Sequence, residues 1–119
     1  PVEFQDVAGK VLHGPACVVR LRAEGVTDEA LLHAITYHTL GHPEFADIGR
    51  ALYAADYLEP GRPEEPATRT ALRSRMPIEM DAVIGAIVKA RLIDQISHGR
   101  KLRPETIAFW NSLRGETRR

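Results

Sequence analysis

The chain has 119 residues and a mass of 13.2 kDa, room for one domain with a modest core. Apolar residues make up 44% and charged residues 27%, which excludes a disordered tail, and no apolar run approaches the ~18 residues of a membrane-spanning helix. The net charge is zero but unevenly spread: residues 1–59 hold 4 Lys/Arg against 9 Asp/Glu, and residues 60–119 hold 12 against 7. That asymmetry points to an anionic ligand near the second half and does not by itself imply nucleic acid. A single cysteine, Cys17, excludes an internal disulfide framework and a multi-cysteine zinc site, and suits a reducing, cytoplasmic compartment.

The hydrophobic period is helical nearly throughout, so an all-α single domain over 1–119 is expected, with a frayed basic tail at 114–119. A first helix is expected to open at His13-Gly14-Pro15, with Pro15 at its first position, and to run to Glu24 before Gly25. Thr27 reads as the N-cap of a second helix that carries Leu31, Ile35 and His38 on one stripe and stops at Gly41. A third covers Phe45 to Leu58 and buries Ile48, Leu52 and Ala55. Residues 59–66, with three prolines and a glycine, form a loop. A short helix follows from Ala67 to Arg75. A long one spans Glu79 to Ser97 with Ile84, Ile87, Val88, Arg91 and Ile96 near one stripe. Gly99 ends it. The last runs from Pro104 and buries Ile107, Trp110 and Leu113.

Two titratable residues fall where core residues belong. His38 continues the Leu31/Ile35 stripe, either as a core histidine bonded to a carbonyl or as a site residue. Asp56 continues Ile48/Leu52, and a buried carboxylate needs a cation, several donors or a metal, unless it caps a neighbouring helix. Together they suit a metal ion or a phosphate-bearing substrate. His33 is expected in solvent, His42 in a turn, His98 at a helix C-terminus where an imidazolium meets the dipole, and Cys17 as a small buried residue. Arg62 is ordinarily read as a solvated loop charge, but Pro60, Gly61 and Pro63 around it are expected to stiffen the chain and aim its guanidinium. Gly99-Arg100-Lys101-Leu102-Arg103-Pro104 joins three cations to a helix N-terminus, which suits an anion or, alternatively, a solvated basic loop.

The strings KVLHGPACVV (10–19), LLHAITYHTLGHP (31–43), IGRALYAADYLEPGR (48–62) and GRKLRPETI (99–107) resemble the HD-domain phosphohydrolases of the YqeK type, the symmetrical bis(5′-nucleosyl)-tetraphosphatases. The resemblance runs from residue 1 to about Leu113. It implies an all-α HD-domain bundle and a metal-dependent cleavage of dinucleoside tetraphosphates, such as diadenosine tetraphosphate, into two molecules of nucleoside diphosphate (ADP). By the same resemblance Asp56 is a metal ligand, with iron the associated metal. His13 and His38, with Thr39 beside them, contact phosphates, Arg62 binds the product diphosphate, and residues 99–104 form a nucleotide-contacting loop. The family's early histidine and His-Asp doublet have no counterpart, since no His-Asp dipeptide occurs in the chain. The resemblance therefore implies either the C-terminal part of a longer polypeptide or a protein that has lost most of its metal-binding half. The competing reading is a non-catalytic nucleotide-binding or interaction module. A nucleic-acid binder lacks support, because no recognition-helix pattern or aromatic stacking surface is present. Self-association into a homo-oligomer is a further expectation.

Overall fold

The structure is a computed structural model that describes residues 9–60 and 66–114. Among these it contains six helices and no strand: α1 (Gly9–Ala23), α2 (Glu29–Tyr37), α3 (Asp47–Leu58), α4 (Pro66–Arg73), α5 (Met80–Ser97) and α6 (Pro104–Leu113). Helix α1 packs on α2, α2 on α3, α3 on both α4 and α5, and α5 on α6. This is the all-α bundle expected from the periodicity. None of its described helices is long and apolar enough to cross a membrane.

The core gathers Phe45, Tyr53, Ala54 and Leu58 from α3 and its approach, Leu72 from α4, Val83, Ile84, Ile87 and Val88 from α5, and Phe109 from α6. Each large side chain buried here contributes about 1.5–3 kcal/mol of transfer free energy. Phe109 makes edge-to-face contacts with Phe45 and Tyr53, at centroid separations of 5.5 and 5.2 Å.

Several sequence expectations need correction. Pro15 lies inside α1 rather than at its start. A proline disfavours helical geometry in the residue before it through a clash with that residue's Cβ, and Gly14 has none. The helix continues through Pro15, which lacks the N–H for one backbone bond. The N-cap of α2 is Asp28, whose Oδ1 accepts from the Leu31 amide at 3.2 Å, and not Thr27. On α3 the buried residues are Gly49, Tyr53, Ala54 and Leu58, while Ile48 is 45% exposed and Ala55 is exposed. The Phe45 ring lies 2.3 Å from where a Cβ on Gly49 would be, so glycine admits the ring to the face of α3 that also buries Tyr53. Likewise α6 buries Thr106 and Phe109, with Trp110 and Leu113 only partly covered and Ile107 exposed. On α5, Ile96 is exposed.

Two further features position the site. Arg69, itself buried, stacks on the Tyr57 ring at 4.0 Å and donates to the Tyr57 carbonyl, and Arg73 Nη1 donates to the Leu58 carbonyl at 2.8 Å. Both satisfy carbonyls that the end of α3 leaves without intrahelical partners. The turn after α2 is fixed from the other side. Gly41 adopts φ +82°, and a Cβ there would stand 2.3 Å from Phe109 Cδ2, so only glycine fits. The Thr106 hydroxyl donates to the neighbouring Leu40 carbonyl at 2.6 Å.

Candidate functional site

Helix α1 crosses the end of α2 at Gly14. A Cβ on Gly14 would meet the carbonyl oxygens of Ile35 and Thr36 at 2.4 and 2.8 Å, so the missing side chain is what permits the approach. The crossing carries the exposed His13 to His38, ring centroids 6.3 Å apart and nearly perpendicular. His38 caps the C-terminus of α2 and is half-buried. Its Nδ1 lies 2.7 Å from the Ile35 carbonyl oxygen. A carbonyl only accepts, so Nδ1 carries the proton and Nε2 is the nitrogen left for another partner. The carbonyl-bonded histidine of the sequence reading is thus what the structure contains, with one nitrogen still to use.

The residue that follows, Thr39, is tied to Asp56 through Arg91. Arg91 Nη1 donates to the Thr39 carbonyl at 2.8 Å, and Nη2 donates to Asp56 Oδ2 at 3.3 Å. The two charged side chains are 17% and 23% exposed. The guanidinium also lies over Tyr53, 4.7 Å from the ring centre, and 5.1 Å from that of Tyr57. Burial pushes the Tyr53 hydroxyl pKa above its usual value, and the Arg91 cation pulls it partly back. Asp56 is half-buried, between the half-buried Leu52 and the buried Gly49 and Tyr53 on α3, and Arg91 is a cation that accompanies it. Sequence reasoning placed Arg91 among core positions and did not single it out. The signal was there, since a lone arginine stands three and four residues beyond Val88 and Ile87.

Residues 99–104 divide by role. Gly99, at φ +67°, closes α5: its amide donates to the Ile96 carbonyl at 3.0 Å, and that of Arg100 to the Gln95 carbonyl at 2.9 Å. Leu102 is half-buried, and Pro104 is the first residue of α6. Arg103 pairs with Glu105, Nε to Oε1 at 3.4 Å, with both side chains largely covered. Arg100 and Lys101 are the exposed cations of the segment. The remaining candidate, Arg62, lies outside the described residues.

His33 is not a solvated side chain. It is half-buried, with its ring centroid 4.5 Å from His42, 5.0 Å from Tyr37 and 5.8 Å from Phe45. The aromatic neighbours on the α2–α3 turn fold over that face of α2. His42 is the expected turn residue, its Nδ1 accepting from the Glu44 amide at 3.1 Å, and His98 Nδ1 lies 2.8 Å from the Asp94 carbonyl oxygen at the end of α5. Cys17 is half-buried rather than fully enclosed. Burial first, and then the charge of His33, hold the His42 pKa below the ordinary 6.5, with Glu44 and Glu105 opposing. The folded state therefore binds fewer protons than the unfolded state. The stability supplied by neutral His42 is complete above pH 6.5 and is lost as pH falls from there through the folded value. Urea denaturation at pH 7.5 and pH 5 is expected to show a larger loss for the wild type than for His42→Gln. Equal losses would contradict this assignment.

A catalytic metal site uses about three protein ligands and an open position. Among the described residues no group of three or more His, Cys, Asp or Glu side chains is arranged to hold a metal ion. Asp56 offers one carboxylate, already bonded to Arg91 through Oδ2. The described residues therefore do not compose a metal centre, whereas imidazoles and exposed guanidinium and ammonium groups suited to phosphate oxygens are present.

No protein-family profile matches the chain. It is 43% identical over 61 residues to the symmetrical bis(5′-nucleosyl)-tetraphosphatase of Staphylococcus aureus, a match covering 50% of this chain and 31% of the relative. The enzymes of the same name from Halalkalibacterium halodurans and Bacillus subtilis are 28% and 26% identical over 105 and 114 residues. Those matches cover 87% and 95% of this chain, and 55% and 60% of the relatives. A crystal structure from Clostridium acetobutylicum, described as a predicted HD superfamily hydrolase involved in NAD metabolism, superposes with a TM-score of 0.78 at 26% identity, over 94% of this chain and 62% of that one. In fold and in sequence the chain is similar to the Clostridium acetobutylicum protein described as an HD superfamily hydrolase, and its all-α bundle is the fold the two share. The curated relatives it matches are symmetrical bis(5′-nucleosyl)-tetraphosphatases, and the matches span from about a third to 60% of their length.

Proposed function

We propose that this chain carries the phosphate-handling part of an HD-type hydrolase of acid anhydrides, acting on dinucleoside tetraphosphates such as diadenosine tetraphosphate to give two molecules of nucleoside diphosphate. The observation that carries this reading is the His13–His38 pair at 6.3 Å, with His38 Nε2 left over by the Nδ1 bond to Ile35. As imidazolium, His38 Nε2 donates to a phosphate oxygen, and His13 presents a second imidazole beside it. Charge that builds on phosphoryl oxygens during anhydride cleavage is stabilised by donors fixed in advance, and the Ile35 carbonyl fixes the His38 ring. Thr39, Arg62, and the 99–104 segment through Arg100 and Lys101, belong to the same phosphate-binding reading. Asp56, bonded to Arg91, is the residue that the resemblance assigns to a divalent metal, iron, and no step is assigned through that metal.

The second reading is a nucleotide-binding module without hydrolysis. The Asp56–Arg91 pair and the lack of a three-ligand group among the described residues favour it. One assay tests whether the 119-residue chain is catalytic by itself. The purified 119-residue chain is incubated with diadenosine tetraphosphate, with and without iron(II) or manganese(II), and ADP is followed by chromatography. Ligand count predicts at most trace release. Robust metal-dependent release of ADP would contradict it and place the missing ligands on His13, His38 or a second copy of the chain.

A further inference from the structure

We infer that Arg91 is the positioning residue of this site, a single side chain that fixes Asp56 and the His38–Thr39 segment relative to each other. The inference rests on the reading of those residues as ligand-facing, and it adds a group that the sequence resemblance does not assign. Arg91 leaves α5 on the stripe of the buried Ile84, Ile87 and Val88, where an apolar side chain would suffice for packing. Its two terminal nitrogens go to different elements: Nη1 to the main-chain carbonyl immediately after His38, and Nη2 to the carboxylate on α3. The guanidinium lies over the Tyr53 and Tyr57 rings, 4.7 and 5.1 Å from their centres.

A planar fork can serve two acceptors at a fixed separation, which a lysine ammonium on a flexible stem does not reproduce. The α3 end of the link is itself immobilised, because Arg69 and Arg73 bind the Tyr57 and Leu58 carbonyls one and two residues beyond Asp56. The turn end is immobilised by the Thr106 bond to Leu40. Arg91 thus joins two segments that are each already rigid, so a change at one is transmitted to the other.

The test uses the 119-residue chain and NMR. Asp56→Asn is expected to move the Thr39 and Leu40 amide resonances and the His38 imidazole resonances. In an Arg91→Lys background, which keeps the charge and the fold, the same substitution is expected to leave them in place. A purely structural ion pair would alter stability without this transmitted shift. If Asp56→Asn leaves the Thr39 and His38 resonances unmoved in the wild-type background, or moves them equally in the Arg91→Lys background, the inference is overturned. Titration with ADP on the same samples reports separately on the functional reading. Arg91→Lys is expected to raise the Kd by about tenfold, the usual lower range for losing a side chain that orients a binding group. Wild-type chain that binds no ADP overturns the phosphate-binding reading, while the resonance coupling still judges Arg91. A Kd unchanged by Arg91→Lys, in a chain that does bind ADP, overturns the positioning role.

Discussion

Phe109→Ala is expected to lower the unfolding free energy by about 3–5 kcal/mol, the range for removing a fully buried aromatic ring and leaving a cavity. Phe109 is 1% exposed and is the side chain on which the α2–α3 turn rests. It meets Phe45 and Tyr53 edge to face and lies against the face of Gly41 where a Cβ would be. Its loss removes the two ring contacts and the support under residues 39–41, so the groups beside them that are proposed to bind phosphate lose their fixed position as well. Urea denaturation gives the stability, and calorimetric titration with ADP gives the binding. A loss below about 1 kcal/mol would mean that the core is not organised around this ring.

Gly14→Ala is expected to cost about 1–3 kcal/mol, as overpacking does, and to separate the two histidines. The new Cβ would stand 2.4 Å from one backbone oxygen and 2.8 Å from another, and backbone does not yield as a flexible side chain does. Helix α1 must move away from α2, carrying His13 from His38. Ala is the better helix former, so a helix whose glycine served no contact would gain by the change. The sign of the stability change therefore separates close approach from ordinary helix propensity. A stabilised Gly14→Ala variant with unchanged ADP affinity would contradict the crossing geometry.

The helical class was legible because the apolar period is near 3.6 throughout, and the ends of α3, α5 and α6 were legible because Leu58, Ser97 and Leu113 stand before Pro60, Gly99 and Gly115. The buried faces were harder to read. Stripes drawn through Ile48 and Leu52, or through Ile107 and Trp110, follow aliphatic and large residues, while the fold buries Gly49 under Phe45 and Thr106 through its bond to Leu40. Small and polar residues hold those positions because a ring or a carbonyl comes close to them, and such partners come from elsewhere in the chain. The same limit applies to the site. His38 and Asp56 were legible as polar residues on apolar helices, but the Thr39–Arg91–Asp56 link spans 52 and 35 residues of sequence. His13 and His38 were linked only through the phosphate contacts that a sequence resemblance implies, and the reason they meet is the absent side chain of Gly14. The clustering of His33 with Tyr37 had a local trace, since the two are one helical turn apart, whereas His42 joins them only through the turn after α2.

The central claim is that His13 and His38 form a phosphate-binding pair, and calorimetric titration of the 119-residue chain with ADP tests it most directly. The wild type is expected to bind one equivalent. His38→Gln is expected to weaken binding by about tenfold, ~1.4 kcal/mol, with the melting temperature held within a few degrees. Absence of binding by the wild type, or an affinity that His38→Gln leaves unchanged, would contradict the claim.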